Sequence, residues 1–345
     1  MTKIVHIINA MEIGGVEVGV LNLLKSKAES NYHVITVGDC NSSIYNSLSE
    51  DEKQRLHIGN SYFKSLLLLF KLDAHLVVSS LWRAHFVSLL YKMLKPSSIR
   101  FHFVHSARFA HLVDKVITKI SIFLSYRVIC DSQNTQLWLD TNFKKTKSHV
   151  VPMNVSFSED KIIFKSNPIS FVFVGRFSKE KDIIKAFTFI LELAKLDVAC
   201  TYDLYGRDDG ELGKLIDFVN QHRLSDVVKF HSSILPTDIE VEMRKYNYYL
   251  QSSHVEGMAI SVFQSIKNGL LPVVTPVGEI KSYAVDGVNA FYLDVNNLNE
   301  TALKFKTMIE NKEIEKLKVG HFVNESDYPV FDKSFFKLLY HYLSK

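Results

Sequence analysis

Cysteine is scarce in this 345-residue chain: Cys40, Cys130 and Cys200 stand far apart, and no C-x-x-C pair occurs. That pattern excludes a zinc ribbon or a disulfide framework and fits a reducing cytoplasm. Long hydrophobic runs are missing too, since none approaches the ~18 apolar residues of a membrane span. The opening MTKIVHIINA turns polar at once, so it reads as a first buried strand rather than a signal peptide. The chain has no D-x-D clamp for a metal-bound diphosphate and no G-x-G-x-x-G dinucleotide fingerprint. It also lacks a P-loop, a G-x-S-x-G elbow and a Ser-His-Asp order. There is no internal repeat beyond two wound halves, and no low-complexity tract.

What remains is an ordinary globular composition, 47% hydrophobic and 23% charged, in a chain long enough for two cores. The net charge of +4 is unevenly spread. Residues 1–150 hold 18 Lys and Arg against 11 Asp and Glu, and the remainder holds 23 against 26. A basic first half suits an anionic surface, and it also arises by chance on a solvated face. Lys64, Lys71, Arg83, Lys92, Lys95, Lys115 and Lys119 recur beside the apolar helical runs of residues 62–127. Helices resting on a membrane interface carry that pattern, although most such apolar surface is core. Peripheral membrane contact is therefore an expected partner surface, and no nucleic-acid partner is expected.

Short apolar runs at 3–9, Tyr32–Val37, Leu76–Ser79, Phe101–Val104 and Arg127–Ile129 alternate with helix-length segments. The same rhythm returns at Ile169–Val174, Tyr202–Tyr205, Val227–His231, 248–252 and 270–274. Alternation of this kind predicts parallel sheets wound with helices. Three points stand out. Gly14 and Gly15 open the first helix, either for close backbone approach or simply for a tight turn. His102 and His105 sit at a strand's carboxyl end, where crevice ligands bind, and where a hydrogen-bonded core histidine is equally at home. Residues 254–276, HVEGMAISVFQSIKNGLLPVVTP, read as a carboxylate-bearing loop, a helix and a strand. The free N–H groups of such a helix start favour an anion.

This last segment resembles the signature of family 4 glycosyltransferases, retaining enzymes of the GT-B fold. The resemblance is carried by Glu256, Gly257, Gly269, Pro272, Val273, Val274 and Gly278 in order. It implies an α/β GT-B chain, two Rossmann-like domains facing each other across a cleft. The expected division is 1–155 for the acceptor-side domain, 156–169 for a linker and 170–325 for the nucleotide-sugar donor domain. A C-terminal helix within 326–345 is expected to return to the first domain.

Gly175-Arg176 with Lys181 resembles the family's diphosphate-binding element, with Asp182 where a glycine is usual. Two phosphates call for a planar fork and a point charge. The resemblance further implies that His105, Glu256, Arg176 and Lys181 carry the chemistry. Gly14, Gly15, Gly206, Arg207, Gly257, Met258, Ala259, Ile260 and Gln264 would line the donor site with them. Gln264 stands eight positions after Glu256, where the family has a second glutamate that meets the ribose. Glutamine keeps an acceptor there, so Gln264→Glu is expected to leave nucleotide binding unharmed.

The implied activity is transfer of a sugar from a nucleoside-diphosphate sugar to a glycan or lipid-linked glycan acceptor, with retention. No cofactor or metal is expected. Bacterial surface polysaccharide synthesis, in the cytoplasm or at the cytoplasmic membrane face, is the implied setting. Two alternatives stay open: a non-catalytic partner subunit of the same fold, favoured by the departures at 182 and 264, and a nucleotide-sugar epimerase or hydrolase.

Overall fold

The computed structural model describes residues 3–26, 31–144, 146–155, 168–322 and 329–344. Contacts divide the chain into two compact units, residues 1–155 with 328–345, and residues 156–327. Residues 156–167 of the expected linker lie outside the described residues.

The first unit is a seven-stranded parallel sheet: β1 (Ile4–Ile8), β2 (Tyr32–Thr36), β3 (Leu56–Ile58), β4 (Leu76–Ser80), β5 (Ile99–Val104), β6 (Arg127–Cys130) and β7 (Ser148–Val150). Its order is β3-β2-β1-β4-β5-β6-β7. All the apolar runs of the first half are strands, their ends moved by a residue or two. The three-residue strands β3 and β7 escaped the sequence reading because β3 has one polar residue in three and β7 has two, which leaves no apolar run to detect.

Strand alternation sorts the two faces. Val5 and Ile7 share a core with Leu69, Ala84, Val87 and Tyr91, on the side of helices Tyr62–Lys71 and Trp82–Leu94. His6, between them, points the other way and stacks on Phe335, ring centroids 5.9 Å apart. Helix Phe331–Leu343 therefore covers the opposite face, with Phe335, Phe336 and Leu339 buried. It is pinned at its far end by Tyr342, whose hydroxyl lies 3.1 Å from Arg127 Nε and 2.8 Å from His149 Nε2.

The second unit holds six parallel strands, β8 (Ser170–Val174), β9 (Thr201–Tyr205), β10 (Val228–His231), β11 (Tyr248–Gln251), β12 (Leu271–Val274) and β13 (Phe291–Tyr292). They lie in the order β10-β9-β8-β11-β12-β13. Aromatic rings fill its core, among them Phe171, Phe187, Phe189, Tyr202 and Phe305. The helix that precedes β11 is short, Ile239–Met243. Beyond it, Lys245 and Tyr246 bond three residues back and Asn247 N–H already bonds Ser170, so the chain turns into β11. In each sheet the strand order reverses once, between β1 and β4 and between β8 and β11. Ligands of open parallel sheets bind beyond the strand carboxyl ends at such a point.

The first unit also buries imidazoles. His6, His85 and His102 are inaccessible to solvent, and His33 and His57 touch at 3.2 Å. Burial holds all five below the ordinary histidine value, with His6 down to about 3 and His33 to about 4. The unfolded chain therefore binds more protons than the folded one below pH 6.5. Stability is fully present above that pH and is lost as pH falls toward the folded values. A melting midpoint that is level from pH 7 to 8.5 and falls steadily from pH 6.5 to 4.5 is the expected result. A midpoint that stays level down to pH 4.5 would contradict neutral burial.

Candidate functional site

In the second unit, the loops after β8 and β11 meet at the reversal of strand order. His254 N–H donates to Glu180 O at 3.0 Å, and Ser252 Oγ donates to Asp182 O at 2.8 Å. At the end of this seam Lys181 Nζ meets Glu256 Oε1 at 2.6 Å, their side chains 16% and 10% exposed. Gln251 Nε2 donates to the same oxygen at 3.0 Å. A pair this shielded has given up much of its hydration, so its geometry is held far more tightly than that of a surface pair.

Two residues at this seam adopt left-handed backbone. Asp182 has φ 43° and ψ 47°, the conformation glycine takes most readily, which explains why glycine is the usual residue at that place in the resembled family. Aspartate tolerates it better than most residues, and its carboxylate gains a 3.3 Å contact with His254 Nδ1. Ala259, at φ 53°, caps helix Ile260–Lys267. The amides of Gly257, Met258, Ala259, Ile260 and Ser261 donate to no protein acceptor among the described residues. A run of unpaired N–H groups at a helix start is an anion-binding concavity.

The loop is fixed from beneath. A Cβ at Gly278, φ +59°, would lie 2.3 Å from Glu256 O, and Glu279 N–H donates to Gly257 O at 3.0 Å. The Tyr283 hydroxyl donates to Met258 O at 2.8 Å. The segment after Gly278 is scaffold in the same sense: buried Asn289 binds the Tyr283 and His321 carbonyls.

Arg176 lies exposed beside this seam and bonds Asp209 at 2.7 Å. Gly206 is forced by packing, because a Cβ there would fall 1.9 Å from Gly175 O. Arg207 is exposed on the same loop. The sequence reading missed two buried hydroxyls, Ser178 Oγ and Ser253 Oγ, neither of which has a hydrogen-bond partner among the described residues. Leaving a buried hydroxyl unpaired costs about 1–3 kcal/mol, which a bound polar ligand would offset. Their positions, two residues after Arg176 and three before Glu256, were the only available signal. Gln264 is buried inside its helix. A cavity of about 680 Å³ lined by Glu300, Lys304 and Leu317 contains none of the expected residues. No cluster of three potential metal ligands occurs among the described residues.

The remaining expected residues belong to the first unit. Gly14 is extended at φ −159° and precedes helix Gly15–Lys25. Neither Gly14 nor Gly15 needs positive φ; a Cβ at Gly14 would instead meet the Glu17 carboxylate at 2.5 Å. His105 follows β5, with its ring largely buried. Its Nε2 is 2.9 Å from Ser80 Oγ, and its Nδ1 is 3.7 Å from Asp131 Oδ2 without a bonded partner. Ser80 also touches His6 Nε2 at 2.8 Å, and His6 Nδ1 touches the Tyr32 hydroxyl at 2.8 Å. The chain is satisfied when every group donates in the same direction, either from Tyr32 through His6 and Ser80 to His105 or the reverse. The acid, histidine and serine are spaced like a hydrolytic triad, yet Ser80 is wholly buried and no substrate can reach it.

Residues 155–319 match the family model described as glycosyl transferases group 1. The second unit is thus similar to group 1 glycosyl transferases. No curated protein matches the chain. Among solved structures, Anabaena Alr3699/HepE in complex with UDP and glucose is similar at TM-score 0.83 and 15% identity, over 100% of both chains. Sucrose-phosphate synthase from Thermosynechococcus elongatus follows at 0.77 and 14%, over 99% of both. The lipopolysaccharide outer core galactosyltransferase WaaB, in its apo form, is similar at 0.65 and 13%, again over 99% of both. These likenesses establish the fold: two Rossmann-like α/β units of the GT-B class.

Gly278→Ala tests the support under the 256–261 loop. It is expected to cost about 2 kcal/mol or more, because both φ and backbone contact oppose it. Gly213→Ala, which meets only open space on its helix, is expected to add about 0.5–1 kcal/mol. Denaturant melts of both variants measure the contrast.

Proposed function

We propose that the chain transfers a sugar from a nucleoside-diphosphate sugar to a glycan or lipid-linked glycan acceptor, with retention and without a metal. The observation that carries this reading is the shielded Lys181–Glu256 pair beside five unpaired amides at the strand-order reversal of a unit similar to group 1 glycosyl transferases. In this reading the amides of 257–261 and the Lys181 ammonium take the diphosphate, and the Arg176 guanidinium turns from Asp209 to share it. Charge that develops on the leaving diphosphate is then met by groups already in place, which is how such sites lower a barrier. Glu256, held by Lys181 and Gln251, keeps an oxygen for the sugar's hydroxyls. The departing phosphate oxygen serves as the base for the acceptor hydroxyl, on the face from which it leaves. His105 would reach a reacting sugar only by releasing Ser80, so the electrostatic burden falls on Arg176 and Lys181. Gly14 and Gly15 keep their proposed place at the donor phosphates through backbone alone, and Gly206 and Arg207 theirs toward the nucleoside.

The UDP-bound Anabaena relative makes uridine diphosphate the first donor nucleotide to test, and the galactosyltransferase relative supports bacterial surface polysaccharide as the setting. We also propose that the first unit rests on an anionic membrane face. Helix Trp82–Leu94 packs between Tyr62–Lys71 and Leu112–Phe123. This layer leaves Phe63, Met93 and Phe123 72%, 74% and 84% exposed. Residues 62–127 carry ten Lys and Arg against two acidic residues. Apolar side chains ringed by cations suit a lipid headgroup boundary. No helix among the described residues is long and apolar enough to cross a membrane.

A thermal-shift panel of UDP, GDP, ADP and CMP should single out one nucleotide. Saturation at ~100 times the dissociation constant adds ~2.7 kcal/mol. Arg176→Ala should lose that shift and the transferase activity while melting near the parent, whereas Lys181→Ala should lose both and also melt lower, because Glu256 is left shielded without its partner. A parent chain that responds to no nucleotide would turn the reading toward a non-catalytic partner. Separately, co-sedimentation with phosphatidylglycerol vesicles should exceed that with phosphatidylcholine and fall in F63S/F123S. Equal, low binding to both would overturn the membrane face.

A further inference from the structure

The second position of the glutamate pair is occupied by an amide, and the structure shows what stands next to it. Gln264 lies on helix Ile260–Lys267, 1% exposed, and its Nε2 donates to Glu240 Oε1 at 3.3 Å. Glu240, on helix Ile239–Met243, is equally buried. The Gln264 backbone is held as well: Asn268 Nδ2 donates to its carbonyl at 2.9 Å, and Arg244 Nε donates to Asn268 Oδ1 at 2.9 Å. A carboxamide has one donating end and one accepting end, and a carboxylate can take only the donating one. Glu240 therefore decides which way the amide faces, leaving Oε1, which meets no protein donor among the described residues, as the free accepting end.

We propose that Glu240 is a positioning residue for the donor nucleotide: it locks the Gln264 amide so that Oε1 accepts from the ribose hydroxyls. The inference rests on the nucleotide-sugar reading above. It also reverses an expectation drawn from sequence. Gln264→Glu now places a second carboxylate against a buried first one, and two such groups cannot both stay ionised at little cost. Spacing along the chain gave no hint of this, because Glu240 and Gln264 are brought together only by the packing of two helices.

The test is calorimetric binding of UDP and of 2′,3′-dideoxyuridine diphosphate, or of the corresponding pair for whichever nucleotide the panel selects. The readout is the affinity ratio of ribose to dideoxyribose form. Glu240→Gln frees the amide to turn over, and the ratio should fall roughly tenfold, the equivalent of one hydrogen bond. Gln264→Glu should lower affinity as well. The exchanged pair E240Q/Q264E restores a donor facing a carboxylate, and it should recover most of the ratio. A merely structural role would lower both affinities together and leave the ratio unchanged, which would overturn the proposal. So would an exchanged pair no better than either single variant. If the parent binds no nucleotide, the transferase reading fails and this one with it. If the parent binds while E240Q keeps the parent ratio, only the role of Glu240 fails.

Discussion

The ion pair between Lys181 and Glu256 is the constraint on which the second unit's ligand face depends. It joins two loops that leave neighbouring strands on opposite sides of the strand-order reversal, and it does so where hydration is largely lost. Removing either partner would leave the other charge buried without compensation, which costs several kcal/mol, more than the pair itself contributes. Everything close to it is arranged to hold that geometry. Gln251 steadies the shared carboxylate oxygen. Gly278 lets a neighbouring loop lie directly beneath the Glu256 carbonyl, and Tyr283 ties down Met258 from below. Strain at Ala259 and Asp182 is tolerated because these contacts over-determine the loop.

Such a seam combines fixed cations with unpaired N–H groups while leaving two buried hydroxyls unsatisfied. That is a poor arrangement for stability and a good one for an anion. The amides of 257–261 and the Lys181 ammonium already stand in place, the property that makes electrostatic stabilisation effective in a transition state. The first unit follows a different principle. Its buried histidines are satisfied by serine and tyrosine hydroxyls in a one-directional chain, so they serve the core as neutral hydrogen-bonding groups. Acid sensitivity is the expected consequence for stability.

Much of this was legible in advance. Apolar runs such as Val5–Ile8 and Phe171–Val174 announced parallel strands because a strand buried on both faces must be apolar throughout. Gly278 marked a place where backbone approaches backbone, and Gly269 one where the chain turns at positive φ. Arg176, Lys181 and Glu256 were singled out by their resemblance to a family's motifs, and the structure puts them on loops at one end of one sheet. Short strands were not legible. Leu56–Ile58 and Phe291–Tyr292 gain their hydrogen bonds from neighbours already in place, so they need no local signal.

By itself, the sequence determined that there would be two wound α/β units and where their ligand-facing loops would fall. Periodicity and turn chemistry are local properties, and local properties survive in a linear text. Tertiary structure alone decided the partners. It set Glu240 against Gln264 and tied His105 to Ser80 and His6. It also left Ser178 and Ser253 without partners and turned Phe63 and Phe123 outward. Each of these depends on which helix packs against which strand, and such contacts join residues tens of positions apart, which no local pattern encodes.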